Sequence, residues 1–311
     1  MPPVNRNNPV RAKASESSYS LMEFMREYPD DATCLEWLWV KRYAPDGVHA
    51  TCPKCEKTRE FKKYATTQQR QSWTCTGCGY HIHPTAGTIF HKSSTSLHLW
   101  FYAIYLMTST RCGISAKQIE RELGVTYKTA WRMAKEIRFK LMKQGNEPLS
   151  GKVEADETYI GGRRRFTRRG RPGADSHKVP VFGMAQRQGK VMAVTVPNAH
   201  GKTLMRHVIE RVIPASTIFT DEYRSYNRIA LHGFKHERIS HSEKIYVSGD
   251  IHTNTIEGFW SLVKRGISGV YHSVSAKYLQ GYLNEYAWRY NHRDDAKSTF
   301  LSLLLRAASG A

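Results

Sequence analysis

The chain has 311 residues, enough to bury a full core and carry two or three domains, which excludes an isolated binding motif. Lys and Arg number 47 against 27 Asp and Glu, a formal charge of +20 with a pI near 9.8, and an excess of that size points to a polyanionic partner, nucleic acid first. No stretch approaches ~18 consecutive apolar residues and the N-terminal MPPVNRNNPVRAKASESS has no secretory apolar run, which predicts a cytoplasmic protein with no membrane partner.

Residues 1–18 are polar and are expected to be a disordered tail. A zinc-ribbon region is expected over 19–93. It opens with SLMEFMREYPDDATCLEWLWVKRY, where apolar residues at helical spacing around a break at Pro29 and Asp30 predict a short helix and then a second one carrying Trp37 and Trp39 as packing residues. Cys52-Pro-Lys-Cys55 and Cys75-Thr-Gly-Cys78 follow, two C-x-x-C knuckles 19 residues apart. That spacing lets two turns supply four thiolates to one tetrahedral structural Zn²⁺ and argues against a redox pair. The remaining two cysteines, Cys34 and Cys112, are expected to be small core residues.

Residues 94–145 are expected to form a helix-turn-helix DNA-binding region. SLHLWFYAIYLMTS is too short to span a bilayer and reads as a buried helix. GISAKQIERELGVTYKTAWRMAKEIRFKLM then reads as helix, a turn at Gly124, and a second helix from about Thr126. The second helix would lie in a major groove and present Tyr127, Lys128, Thr129, Arg132 and Lys135; an ordinary helical hairpin shares the same periodicity. QGNEPLSG, 144–151, reads as a linker.

Beyond it, strands are expected at 152–160, 179–187 and 190–196, a helix at 201–213 and a strand at 216–220. A helix near Glu222, a strand near 234–240, a helix from about Thr253 and a long helix over 275–291 complete the pattern. A three-strand meander followed by alternating helices and strands indicates an α/β layer fold of ribonuclease H type over 150–295, with 296–311 as a C-terminal tail. Asp156 and Asp221 fall at or near strand ends, and Glu257 follows Asp221 after 35 intervening residues. Three carboxylates so placed are a ligand set for two Mg²⁺ or Mn²⁺ ions in phosphoryl transfer, because hard divalent ions favour anionic oxygen ligands. Strand alternation puts Glu154 on the face of Asp156, and Glu157 on the other. Six arginines between Arg163 and Arg171, among them Arg164, Arg165, Arg168 and Arg169, form a glycine-flanked arm suited to gripping phosphates.

VEADETYIGG, FTDEYRSY, HTNTIEGFWSLVKRGISGVYHSVS and YLNEYAWRYNHR, preceded by the CPKC and CTGCG knuckles, resemble bacterial insertion-sequence transposases of the zinc-ribbon DDE group, the ISXO-like transposases. The resemblance covers nearly the whole chain from about residue 20. It implies a Mg²⁺-dependent, ribonuclease H-like enzyme that binds terminal inverted repeats in double-stranded DNA, cuts the element's ends and joins the freed 3′-hydroxyls to target DNA. It also implies a homo-oligomer on DNA and a nucleoid location in a bacterium. Related groups place Asn at the third catalytic position with a following Lys, and here Asn254 and Glu257 both stand near it. The spacing and the charge favour Glu257, with Asn254 in support and Lys264, seven residues on along the same helix face, contacting an end phosphate. A domesticated sequence-specific DNA-binding protein without catalysis is the alternative.

Overall fold

The computed structural model describes residues 19–64, 71–110, 112–161, 178–239, 252–293 and 296–310. They fall into two compact units, one from Met1–Arg111, Ala116–Leu141 and Asp294–Ala311, the other from Cys112–Ser115 and Met142–Arg293.

The first unit begins with α1 (Leu21–Glu27), opened by a capping box in which Ser20 and Glu23 satisfy each other's backbone N–H. α2 (Asp31–Arg42) starts at the expected break, with the Asp30 carboxylate accepting from the Thr33 N–H at 2.8 Å. β1 (His49–Thr51), β2 (Thr58–Tyr64), β3 (Ser72–Cys75) and β4 (His81–Ile82) form an antiparallel meander. Trp39 of α2 pins it: the ring stacks on Trp73 at 4.8 Å, leans on Phe61, and donates its indole N–H to the Gly47 carbonyl. The apolar run predicted as a buried helix is α3 (Leu97–Ser109), with Trp100, Phe101 and Ile104 fully enclosed.

α4 (Ala116–Leu123) and α5 (Tyr127–Glu136) flank a turn in which Gly124 has φ +62°, a left-handed value glycine tolerates. Thr126 caps α5 through the Thr129 N–H. The C-terminal residues expected to be a tail are instead helix α9 (Ala296–Ala308), which packs on α3. Phe300, Leu303, Leu304 and Ala307 recur at helical spacing and are buried, and Phe300 meets the rings of Tyr19, Phe24, Tyr28 and Tyr105. Apolar periodicity, not position in the chain, decides the matter.

The second unit holds a five-stranded sheet in the order β7-β6-β5-β8-β9. β5 (Lys152–Ile160), β6 (Val179–Gln186) and β7 (Val191–Thr195) are antiparallel neighbours, while β8 (Thr217–Thr220) and β9 (Lys235–Arg238) run parallel to β5. α6 (Gly201–Arg211) covers one face, where Leu204, Met205 and Val208 meet Val153, Ala155 and Phe182. α7 (Asn254–Gly266) and α8 (Leu279–Asn291) cover the other with Ile256, Phe259, Trp260 and Leu283. The outer edge of β7 is closed by amide side chains: Gln144 bonds both backbone groups of Ala193, Asn291 both of Val191, and Gln280 takes the Thr195 N–H. An open row of donors that could pair with another strand is thereby satisfied, and Gln144, expected in a linker, is part of the unit.

Two further expectations change. After Asp221 there are two short 3-10 turns, Arg224–Tyr226 and Ile229–His232, not an α-helix. The Asp221 carboxylate accepts the Tyr223 N–H at 3.0 Å, a local turn that competes with a helical start, and Gly233 at φ +82° ends the segment. Cys34 is buried as expected, but Cys112 is exposed, in the turn before Gly113, where φ is +90°.

Candidate metal centre and catalytic site

Each cysteine knuckle is a tight turn. The Glu56 N–H bonds the Cys52 carbonyl at 2.9 Å and the Gly79 N–H bonds the Cys75 carbonyl at 3.0 Å, and both Glu56 (φ +53°) and Gly79 (φ +70°) are left-handed. The matched turns aim Cys52, Cys55, Cys75 and Cys78 inward, with one sulfur of each all within 4.8 Å of one another. Crowding shows in the thiols. Burial raises the pKa of Cys52, but the Cys55 and Lys54 backbone N–H groups and the neighbouring thiols outweigh it and bring the value down to about 6. At Cys78 the Tyr80 N–H favours the thiolate, yet burial and the other three cysteines hold it up at about 11. Four converging sulfurs fit a tetrahedral soft-ligand ion such as Zn²⁺. His81 is turned to Thr74 Oγ1, 2.8 Å away.

The carboxylates are set by strand register. Glu154 pairs with Phe219 across the parallel β5–β8 ladder, so Asp156, two residues on, stands level with Asp221 just past the end of β8. On its other side Asp156 pairs with Gly183 of β6. A Cβ at Gly183 would overlap the Trp260 indole, so its absence lets α7 lie close above the strand that carries Asp156. Burial, then the charges of Glu157, Asp221 and Glu257, push the Asp156 carboxyl up to about 7. Glu257, exposed in the first turns of α7, accepts from Thr253 Oγ1 at 2.6 Å. The donor set is all oxygen and anionic, the chemistry that a hard divalent ion takes. Among the described residues, however, only the cysteines bring three or more ligand atoms within 4.8 Å of one another.

Glu157 points to the α6 face, where the fully buried Tyr226 donates to it at 2.6 Å. Asn254 takes the first helical position of α7 and is exposed. The Thr255 and Ile256 N–H groups instead donate to Glu154 at 2.7 and 3.0 Å. Lys264 is exposed in the last turn of the same helix. On α5, Lys128 and Arg132 are exposed and Lys135 is half-buried, all three on one side, while Ala130, Met133 and Ala134 face the core. Arg163, Arg164, Arg165, Arg168 and Arg169 lie outside the described residues.

Sequence reasoning put Glu154 on the Asp156 face but did not find what it holds. The only local signal was an acidic residue at even spacing; Thr255 and Ile256 reach it from a segment some hundred residues away, and Arg187 from the end of the neighbouring strand.

Residues 148–291 match the family described as ISXO2-like transposase domain. A Halobacterium salinarum protein named "Uncharacterized protein in transposable element ISH50" is 31% identical over 259 residues, covering 78% of this chain and 85% of its own length. A Haemophilus influenzae protein named "Uncharacterized transposase-like protein" is 33% identical over 122 residues, 39% of this chain and 96% of that one. A solved chain from the crystal structure of a pre-cleavage Mos1 transpososome is 12% identical at a TM-score of 0.26, covering 63% of this chain and 74% of that one, a likeness too slight to bear on fold or chemistry.

Proposed function

The chain belongs to the ISXO2-like transposases, and on that footing we propose that it cleaves the ends of its insertion sequence and transfers the freed 3′-hydroxyls to target DNA. Asp156, Asp221 and Glu257 would hold two Mg²⁺ or Mn²⁺ ions. The observation that carries this reading is the register of the parallel strands β5 and β8, which sets Asp156 level with Asp221 just past the end of β8, with the Glu257 charge acting on Asp156 from α7. Bound there, the ions would activate the attacking water or 3′-hydroxyl and stabilise the leaving oxygen. The sheet keeps two of the carboxylates rigid, and self-repulsion keeps the set ready for a cation. A ribonuclease H-like architecture is supported by three antiparallel strands followed by two parallel ones in the order β7-β6-β5-β8-β9, with helices on both faces.

One Zn²⁺ on Cys52, Cys55, Cys75 and Cys78 would be structural, since four protein ligands leave no open position. Lys128, Arg132 and Lys135 would meet DNA as one face of a recognition helix in a helix-turn-helix. The Arg163, Arg164, Arg165, Arg168 and Arg169 arm and Lys264 would neutralise phosphates. Assembly as a homo-oligomer on double-stranded DNA and residence in a bacterial cytoplasm, at the nucleoid, complete the reading. Among the described residues no helix is long and apolar enough to cross a membrane.

The test is a strand-transfer assay with a duplex carrying the inverted repeats that bracket the gene. Wild-type protein should give Mg²⁺-dependent cleavage and joined product, and Asp156→Asn should bind the duplex and give neither. Cleavage without joining would leave only a nuclease. Binding with no wild-type cleavage would favour the domesticated DNA-binding protein.

A further inference from the structure

Glu154 is fully enclosed, at 0% exposure, two residues before Asp156 on the same face of β5. A buried carboxylate is tolerated only when its oxygens are satisfied, and here donors arrive from the start of α7 and from Arg187. Oε2 accepts the backbone N–H groups of Thr255 at 2.7 Å and Ile256 at 3.0 Å. Oε1 accepts the Thr255 hydroxyl at 3.0 Å and Arg187 Nε at 2.7 Å; His252 Nδ1 lies 3.2 Å from it but makes no hydrogen bond. With both oxygens so engaged, Glu154 is a poor candidate for a metal ligand despite its place beside Asp156.

The arrangement inverts the usual cap. Thr253, the N-cap residue of α7, makes no capping bond with its side chain and gives its hydroxyl to Glu257 instead. Two of the orphan N–H groups of the first turn, those of Thr255 and Ile256, are met by Glu154, whose negative charge also suits the positive end of the helix dipole. Arg187 extends the clamp. Its Nη2 donates to the His252 carbonyl at 2.8 Å, its guanidinium lies 4.1 Å from the centroid of Phe219 on β8, and its backbone N–H bonds the Lys152 carbonyl of β5. One residue pair therefore touches the strand of Asp156, the strand that delivers Asp221, and the start of the helix that carries Glu257.

We infer that Glu154, held by Arg187, is the positioning residue that fixes Glu257 relative to Asp156 and Asp221. The inference rests on the reading of Glu257 as the third metal ligand. It separates two roles on one strand face: Asp156 would bind a cation, and Glu154 aligns its partner.

The experiment is Mn²⁺ titration of the full-length, zinc-loaded chain, with free Mn²⁺ followed by electron paramagnetic resonance. Glu154→Gln puts an amide donor where Arg187 Nε and the Thr255 hydroxyl donate. It should weaken Mn²⁺ binding about tenfold or more, the loss usual when a ligand's outer partner is removed, with unchanged zinc content and circular dichroism. Arg187→Gln leaves the carboxylate and both backbone donors in place and should act in the same direction; it carries the test should Glu154→Gln fail to fold. Glu257→Gln, run in parallel, should lose the binding. Lowered thermal stability with wild-type Mn²⁺ affinity in both clamp variants, while Glu257→Gln loses affinity, would overturn the positioning role and leave the ligand reading standing. Wild-type affinity in Glu257→Gln would overturn the ligand reading itself, and the inference with it.

Discussion

The cysteine ribbon and the carboxylate site gather like side chains by opposite means. The ribbon takes four thiols from two matched local turns between Cys52 and Cys78 and brings their sulfurs within 4.8 Å of one another. The carboxylates come from one strand, the residue just past another and a helix, spread between Asp156 and Glu257, framed by register and by a helix cap, and they are not drawn together to that degree. Short hairpins have little core of their own and need an ion to close them, whereas a sheet packed on both faces stands without one. The ribbon's ion would belong to folding and the sheet's ions to chemistry.

That contrast breaks most visibly on metal removal. A strong chelator should strip one Zn²⁺ per chain and unfold the ribbon, since structural zinc contributes an apparent ~10–16 kcal/mol in small ribbons, while the sheet unit keeps its own melting transition. Metal analysis and calorimetry read both outcomes; no zinc in freshly purified protein, or simultaneous loss of both transitions, would end the division. Next in size is Trp39→Ala, which removes the enclosed ring joining α2 to Trp73 and Phe61. It should cost about 3–5 kcal/mol, read by denaturant unfolding as a shift in the first unit alone.

Arg132→Ala should reduce discrimination between element ends and random duplex by about 1–3 kcal/mol, whereas Arg163→Ala, Arg164→Ala and Arg165→Ala together should weaken all duplexes alike and flatten the salt dependence. Equal loss on every duplex from both sets would show that α5 grips without reading. The smallest effect is expected at Glu56. Its left-handed backbone matches that of Gly79 in the other knuckle, so Glu56→Gly should stabilise the ribbon by no more than about 1 kcal/mol, relief of strain being partly offset by unfolded-state entropy. A destabilisation of that size would show that the Glu56 side chain does more than fill a turn.

What was legible in the sequence was what is local. The knuckles could be seen because four ligands lie in two fixed spacings, and the α5 face because three basic residues recur on one side of a helix whose other side is apolar. Asp221 was legible from the end of its strand, whereas Asp156, expected at or near a strand end, stands in the middle of β5 and is paired on into Ile160. The tail-to-helix change at α9 also had a signal, the spacing of Phe300, Leu303, Leu304 and Ala307, which its terminal position masked. The turns after Asp221 were hidden because the Asp221 side chain, not any periodic pattern, redirects the backbone at Tyr223. The Glu154 clamp was beyond reach: alternation tells which way the carboxylate faces, and only the tertiary fold brings Thr255, Ile256 and Arg187 to it.

The most direct test of the catalytic account sets Glu257→Gln against Asn254→Ala on duplexes carrying the element's ends, with cleavage measured in Mg²⁺ and binding measured in its absence. Glu257→Gln should bind normally and lose cleavage by more than about 100-fold, since even an outer partner of a metal ligand is worth 10–100-fold, and Asn254→Ala should retain most of its activity. Normal cleavage by Glu257→Gln together with a dead Asn254→Ala would move the third catalytic position to Asn254 and contradict the account.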